Sequence, residues 1–124
     1  MVVSGASGLV GGALVAALEA EGVRVDRLVR RVRTPGGSDI GWDPAGGTVD
    51  ARGLEGADAV VHLAGESNAA GRWTPARKDA ILRSRVDGTR LLAETLARLG
   101  RPPRVLVSAS AVGYYGSRGD EALT

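Results

Sequence analysis

Apolar residues along this chain fall into two patterns, short continuous runs and longer stretches with a three- to four-residue spacing. The runs at 1–3, 59–64 and 104–107 predict strands. The middle run is interrupted only by His62, which is typical of a strand buried on both faces of a parallel sheet. We therefore interpret His62 as a satisfied core residue. Segment 23–29 alternates apolar with charged residues and predicts a strand with one partly wet face.

The helical spacing predicts two helices. The first covers 9–21 and stops at Gly22, since glycine accepts the left-handed conformation common at helix C-termini. The second is the longest and begins after Thr74, an N-cap followed by proline. Its apolar positions are predicted to form one broad stripe of Ile81, Leu82, Val86, Leu91, Leu92 and Leu96. Segment 34–47 is rich in Gly, Pro and Asp and is predicted to be a loop anchored by Trp42.

These elements alternate along the chain. Four strands separated by helices or loops predict an α/β fold with a parallel sheet. The length of 124 residues is that of one domain.

The turn after the first strand carries the motif GxxGxxG, from Ser4 to Gly11. Gly5 would permit a tight turn, Gly8 would let the main chain approach a pyrophosphate, and Gly11 would let the helix sit close to the sheet. A glycine-rich turn that only caps a helix is the alternative. The order strand, motif, helix favours a dinucleotide site.

Six segments together carry a family resemblance. They are SGASGLVGGALVAAL, IGWDP, GADAVVHLAGES, GRWTPARK, SRVDGTRLL and VSASAVGYYG. With them the chain resembles the extended short-chain dehydrogenase/reductase superfamily. It is most similar to the atypical branch of NAD-dependent epimerase/dehydratase-like "epimerase family" oxidoreductases.

The resemblance implies a Rossmann-type doubly wound parallel sheet that is incomplete, with the first four or five strands. Residues 1–124 would be the N-terminal portion of an NAD(P)-binding domain, with the family's C-terminal substrate domain absent. The implied function is the NADP-binding domain of an NAD(P)-dependent oxidoreductase or epimerase. A non-catalytic dinucleotide-binding module or a truncated remnant is the alternative. A sheet divided in this way would expose apolar faces, so we expect marginal stability alone or a homodimer.

The resemblance also assigns cofactor contacts. The residues implied around the cofactor are Gly5, Ser7, Gly8, Leu9 and Val10 at the pyrophosphate, Leu63, Ala64 and Gly65 at the adenine-ribose side, and Arg85. Ordinary strand packing also explains Leu63, and a surface position on a helix equally explains Arg85.

Arg30 lies at the end of the second strand, where NAD-preferring Rossmann proteins carry an acidic residue about 20 positions beyond the glycines. A guanidinium suits a ribose 2′-phosphate, and a carboxylate would repel it. This favours NADP, with NAD possible. A solvated basic run that includes Arg30 and Arg31 is the alternative.

The catalytic residues are less complete. Ser110 aligns with the superfamily's catalytic Ser/Thr, although a turn-forming serine is equally compatible. The tyrosines are Tyr114 and Tyr115, and neither has a lysine four residues later, so the Tyr-x-x-x-Lys pair is missing. Glu66 and Asp120 are acids with no partner evident in the sequence. Whether the chain is an enzyme therefore stays open, as does its small-molecule substrate.

Composition narrows the remaining possibilities. The net charge of +2 and the lack of a basic stripe with stacking aromatics argue against nucleic acid. Cysteine is absent, which excludes disulfides and thiolate metal sites, and we assign no metal. No apolar run approaches the roughly 18–20 residues of a membrane span. We expect a cytoplasmic protein without a membrane contact.

Overall fold

In the computed structural model, which describes residues 1–33, 36–69, 71–110 and 117–121, six strands form a single sheet. The elements in chain order are β1 (Val2–Ser4), α1 (Leu9–Ala20), β2 (Asp26–Val29), β3 (Asp39–Asp43), β4 (Thr48–Val49), α2 (Ala51–Leu54), β5 (Ala59–His62), α3 (Pro75–Ala97) and β6 (Val105–Ser108). Among these described residues, no helix is both long and apolar enough to cross a membrane.

The strand order is β4-β3-β2-β1-β5-β6, and every pairing is parallel except that of β3 with β4. The chain therefore builds outward from β1 to one side through β2 and β3, and then to the other side through β5 and β6. The reversal beside β1 opens a crevice at the carboxyl ends of the strands, where open α/β sheets bind ligands. The predicted α/β fold with an incomplete Rossmann-type sheet is confirmed, although the described sheet has six strands where the resemblance implies four or five.

The prediction of a loop over 34–47 is wrong for its middle, where Asp39–Asp43 form β3. Ile40 and Trp42 are both buried there, and Ile40 is the register partner of Leu28 in β2. The glycines and aspartates of this segment favoured a loop, but pairing with β2 supplies the backbone hydrogen bonds, and burial of the two apolar side chains stabilises the strand.

The first helix ends where the sequence predicts. Gly22 has φ +77°, its N–H donates to Glu19 O at 3.0 Å, and Val23 N–H donates to Leu18 O at 2.9 Å. This Schellman closure satisfies the last helical carbonyls. Val23, the first residue of the predicted strand 23–29, is part of this closure, and β2 begins only at Asp26.

Two clusters of buried side chains cover the faces of the sheet. One contains Val2, Leu28, Ile40, Trp42, Leu54, Val60, Leu92 and Leu96, and the other contains Val3, Val15, Val25 and Val61. The alternation of neighbouring residues between the clusters is the two-residue period of a strand.

The single apolar stripe predicted for α3 is only partly correct. The helix begins as expected, with Thr74 Oγ1 accepting from Arg77 N at 3.2 Å. Leu92 and Leu96 are buried, but Leu82 is 61% exposed and Val86 is also exposed. The N-terminal half of α3 instead contacts the loop after β5, through Arg77, Ser84 and Arg85. The three consecutive apolar residues of β6 are also exposed.

Candidate functional site

The glycine turn between β1 and α1 is closed by a hydrogen bond from Gly8 N to Gly5 O at 2.9 Å. Gly5 has φ +71°, and a Cβ on it would lie 2.8 Å from Ala64 N and from Leu63 C. A Cβ on Gly11 would lie 2.2 Å from Gly5 O. Both positions therefore require glycine, one for its dihedral angle and both for the close approach of backbone.

The start of α1 presents unpaired backbone donors beside this turn. Its N-cap is Gly8, which has no side chain to cap the helix, and its first turn contains no acidic residue. Ser7 and Gly8 are exposed. The N–H groups of the first turn and the positive end of the helix dipole are thus available to an anion.

The turn opens into a cleft of about 630 Å³ at the carboxyl ends of β1, β2 and β5. Of the residues assigned to the cofactor, the cleft is lined by Gly5, Ser7, Gly8, Arg30, Leu63, Ala64 and Gly65. Glu66, Ser84 and Trp42 also line it. The sheet thus brings together two segments that are some 58 residues apart in the chain, as the separation of Gly5 from Leu63 shows.

Three arginines face the cleft from β2 and the segment after it, and they differ in their partners. Arg27 donates to Glu19 Oε1 at 2.9 Å, and Arg33 Nε lies 3.6 Å from Asp39 Oδ2. Within the described ranges, Arg30 has no carboxylate partner, and its side chain is exposed. Arg30 is therefore the arginine of the cleft lining that forms no ion pair among the described residues.

The opposite wall of the cleft is held against α3 through Glu66. The backbone N–H of Glu66 donates to Ser84 Oγ at 2.9 Å, and its carbonyl accepts from Arg85 at 3.2 Å. Its carboxylate lies 3.3 Å from Arg77 NH1. These three side chains come from the first three turns of α3, so this half of the helix contacts the loop that follows β5.

Arg85, Leu9 and Val10 lie beside the cleft and not in its lining. The Arg85 guanidinium is 3.3 Å from where a Cβ on Gly65 would stand, and it also donates to Ile81 O. Leu9 is 93% exposed, and Val10 is exposed as well. Their assignments as cofactor contacts stay predictions.

Ser110 is exposed and follows β6 at the same edge of the sheet. The strand end is fixed beside β5, since Ala109 N donates to His62 O at 3.0 Å. Tyr114 and Tyr115 lie outside the described residues. The catalytic assignment of Ser110 stays a prediction, and no group of three or more His, Cys, Asp or Glu side chains that could hold a metal occurs in the described part of the chain.

His62 is buried, as predicted from its apolar surroundings, with 3% of its surface exposed. Its Nδ1 lies 2.7 Å from Ser4 Oγ, and its ring meets the Trp42 ring edge-on at a centroid distance of 5.6 Å. Burial lowers the pKa of His62 below 6.5. The interpretation as a satisfied residue holds for one ring nitrogen, because Nε2 is buried without a hydrogen-bond partner among the described residues.

Sequence reasoning missed several residues of the site. The sequence presents Glu66 as an acid but not as the anchor of the cleft wall, and it gives no signal that singles out Ser4, Ser84 or Glu19. The alternation Ile40-Gly41-Trp42 was the signal that would have placed Trp42 on a strand. The pairings of Ser4 and Glu66 had no local signal, since their partners lie on other elements.

A profile of the NAD dependent epimerase/dehydratase family matches residues 1–123. The chain belongs to this family. An epimerase family protein of Mycobacterium bovis is 40% identical over 124 residues, which are 99% of this chain and 40% of that relative. The chain thus spans about two fifths of the length of the curated relative that it matches.

Solved structures of family relatives have the same fold. The nucleoside-diphosphate sugar epimerase from Corynebacterium glutamicum is 41% identical, with a TM-score of 0.76 over 98% of this chain and 25% of that protein. Human epimerase family protein SDR39U1, solved with NADPH, is 35% identical, with a TM-score of 0.73 over 92% of this chain and 37% of that protein. A short-chain dehydrogenase/reductase superfamily protein from Agrobacterium tumefaciens, solved with bound NAD, is 32% identical, with a TM-score of 0.67 over 93% and 33%.

Proposed function

We propose that this chain binds a nicotinamide dinucleotide, and NADP in preference to NAD, as the cofactor-binding part of an NAD(P)-dependent oxidoreductase or epimerase. The observation that carries the proposal is the glycine turn, in which Gly5 and Gly11 admit no side chain. This turn and the start of α1, which has no side-chain cap, both face the cleft. A pyrophosphate suits this arrangement because it needs close backbone approach and N–H donors.

Arg30 supports the preference for NADP. It is the cleft arginine without a carboxylate partner in the described part of the chain, whereas Arg27 and Arg33 are each paired. A guanidinium free of other partners is ready to bind a 2′-phosphate. The relatives are divided on this point, because the human protein was solved with NADPH and the Agrobacterium protein with NAD.

Binding is measured directly through tryptophan fluorescence. The chain has two tryptophans, and Trp42 lines the cleft whereas Trp73 is exposed on the loop before α3. In a Trp73→Phe variant we expect NADPH to quench the remaining Trp42 emission and to gain sensitised emission from its nicotinamide. Absence of saturable binding for both NADPH and NADH would overturn the proposed function.

The preference is tested by Arg30→Asp, with Arg31→Asp as the matched control. Both changes alter the net charge equally, but Arg31 does not line the cleft. Loss of charge-assisted hydrogen bonds worth about 1.5–3 kcal/mol corresponds to about a 10- to 100-fold weaker NADPH binding. NADH binding should change little, and equal effects of the two variants on NADPH would refute a local contact.

Hydride transfer is the chemistry that the cofactor supplies when bound, and Ser110 is the residue of this chain proposed to polarise a substrate hydroxyl or carbonyl. The substrate class best supported is a nucleotide sugar, because the Corynebacterium relative is described as a nucleoside-diphosphate sugar epimerase. Turnover of NADPH with carbonyl compounds and nucleotide sugars, and its loss in Ser110→Ala, would support an enzyme. Binding without turnover would favour the second candidate, a non-catalytic dinucleotide module.

A further inference from the structure

The Ser4 hydroxyl lies at the centre of a buried hydrogen-bond network behind the cleft. Ser4 Oγ is 2.7 Å from His62 Nδ1, 3.1 Å from Leu63 N and 3.2 Å from Ala64 N. The Leu63 N–H is shared with the carbonyl of Ser4 at 3.2 Å. Ser4 is fully buried, so solvent is excluded as a further partner.

The number of protons in this network decides the role of His62. A hydroxyl has one proton and two lone pairs, and both backbone amides can only donate. With the lone pairs of Ser4 Oγ directed to Leu63 and Ala64, its proton points to His62 Nδ1. Nδ1 is then an acceptor, and the neutral ring of His62 carries its proton on Nε2.

This tautomer leaves the Nε2–H of His62 without an acceptor among the described residues. Gly88 of α3 and the Trp42 ring lie beside it, since a Cβ built on Gly88 would lie 3.8 Å from Nε2 and 3.6 Å from Trp42 Cη2. A buried donor without a partner costs about 1–3 kcal/mol. A ring that served packing alone would be better replaced by an apolar side chain, so the interaction at Nδ1 has to account for the histidine.

The hydrogen bond at Nδ1 supports the contact between segment 63–64 and the glycine turn. Leu63 and Ala64 line the cleft, and their backbone stands so close to Gly5 that no side chain fits between them. Ser4 directly precedes Gly5, and its hydroxyl holds both amides. The direction of that hydroxyl therefore fixes the wall 63–64 relative to the glycine turn.

We propose that His62 is a positioning residue of the dinucleotide site, which accepts the Ser4 hydroxyl proton at Nδ1 and thereby holds segment 63–64 against the glycine turn. The proposal rests on the proposed function for its effect on the cofactor. The hydrogen-bond arrangement itself is a property of the protein without ligand, so the two are tested separately.

Two variants of the full chain separate positioning from packing. His62→Asn keeps an acceptor on the atom bonded to Cγ, close to where Nδ1 stands, and His62→Leu keeps apolar volume without an acceptor. Both remove the ring that contacts Trp42. We expect His62→Leu to weaken NADPH binding about five- to tenfold, as for one lost hydrogen bond, and His62→Asn to restore it to within about threefold of wild type. Equal weakening by both variants, or no weakening by His62→Leu, would overturn the proposal.

Nuclear magnetic resonance reads the network directly. His62 is the single histidine of the chain, so long-range ¹H–¹⁵N correlations report one imidazole. We expect a protonated Nε2 and an unprotonated Nδ1, and the opposite tautomer would overturn the proposal. The amide protons of Leu63 and Ala64 should exchange slowly in wild type and in His62→Asn and faster in His62→Leu.

The exchange measurement also distinguishes the two possible failures. If wild type binds neither NADPH nor NADH, the proposed function fails, and the site part of this inference fails with it. The tautomer and the exchange rates of Leu63 and Ala64 then still decide whether His62 holds the wall. If wild type binds but the Asn and Leu variants exchange alike, the positioning role is refuted and the proposed function stands.

Discussion

Replacing Gly11 with alanine tests how closely α1 must approach the glycine turn. The added Cβ would lie 2.2 Å from Gly5 O, 2.8 Å from Gly5 C and 3.0 Å from Ala6 Cα. The first distance is about 1.2 Å short of the 3.4 Å at which ordinary contact begins. All three atoms belong to the backbone, so no side chain can rotate away, and the start of α1 or the turn has to move.

The size of the effect follows from two opposing contributions. Alanine stabilises a helix interior by about 1 kcal/mol relative to glycine. Overpacking costs about 1–3 kcal/mol, and a clash with fixed backbone lies at the upper end. We expect Gly11→Ala to lower the free energy of unfolding by about 2 kcal/mol, and the melting temperature by roughly 8 °C for a chain of this length.

Gly88→Ala is the matched control, because Gly88 is also buried inside a helix. Its added Cβ would find its nearest neighbours at 3.6–3.8 Å, which is ordinary contact. We expect this variant to be more stable than wild type by up to about 1 kcal/mol. Urea unfolding followed by Trp42 fluorescence in the Trp73→Phe background measures both variants. Equal stabilities for the two variants would refute the argument from close backbone approach, and Gly11→Ala should also weaken NADPH binding, since it displaces the N–H donors of α1.

Two further predictions concern the packing of α3 and the titration of His62. Leu92→Ala should cost about 2–5 kcal/mol of unfolding free energy because Leu92 is 1% exposed, whereas Leu82→Ala on the same helix should stay within about 0.5 kcal/mol; similar losses in chemical denaturation would contradict the observed packing of α3. Burial lowers the pKa of His62, so the unfolded chain takes up its proton first. The stability from neutral His62 is therefore complete above pH 6.5 and lost as the pH falls through that value towards the folded pKa. Melting temperatures between pH 8 and pH 5 should show this loss in wild type and a smaller one in His62→Asn, and an equal loss in both would assign it to other groups.

Much of the fold was predictable because its signals are local. The turn at Gly5, the closure of α1 at Gly22 and the start of α3 at Thr74 each depend on residues within a few positions of each other. The apolar run of β5 predicted a strand buried on both faces of the sheet, and Val60 and Val61 are buried in the two clusters that cover those faces. Those same signals located the glycine turn of the candidate site, whereas segment 63–65 was assigned to the site through the family resemblance.

The predictions failed where distant pairing outweighs local preference. The glycines and aspartates around β3 favour a loop, yet pairing with β2 and burial of Trp42 make a strand. The spacing of Leu82 fits a core stripe, but a spacing fixes only which residues share a face. The contacts of Ser84 and Arg85 with Glu66 show what that part of α3 packs against.

The sequence by itself determined that a glycine turn joins a strand to a helix and that arginines follow the second strand. Only the tertiary structure decided which arginine has no carboxylate partner among the described residues, because Glu19 and Asp39 reach Arg27 and Arg33 from other elements. It also decided that Ser4 meets His62, its register partner across β1 and β5. The physical reason is that periodicity and turn chemistry act over neighbouring residues, whereas strand order and register determine which distant side chains share a hydrogen bond.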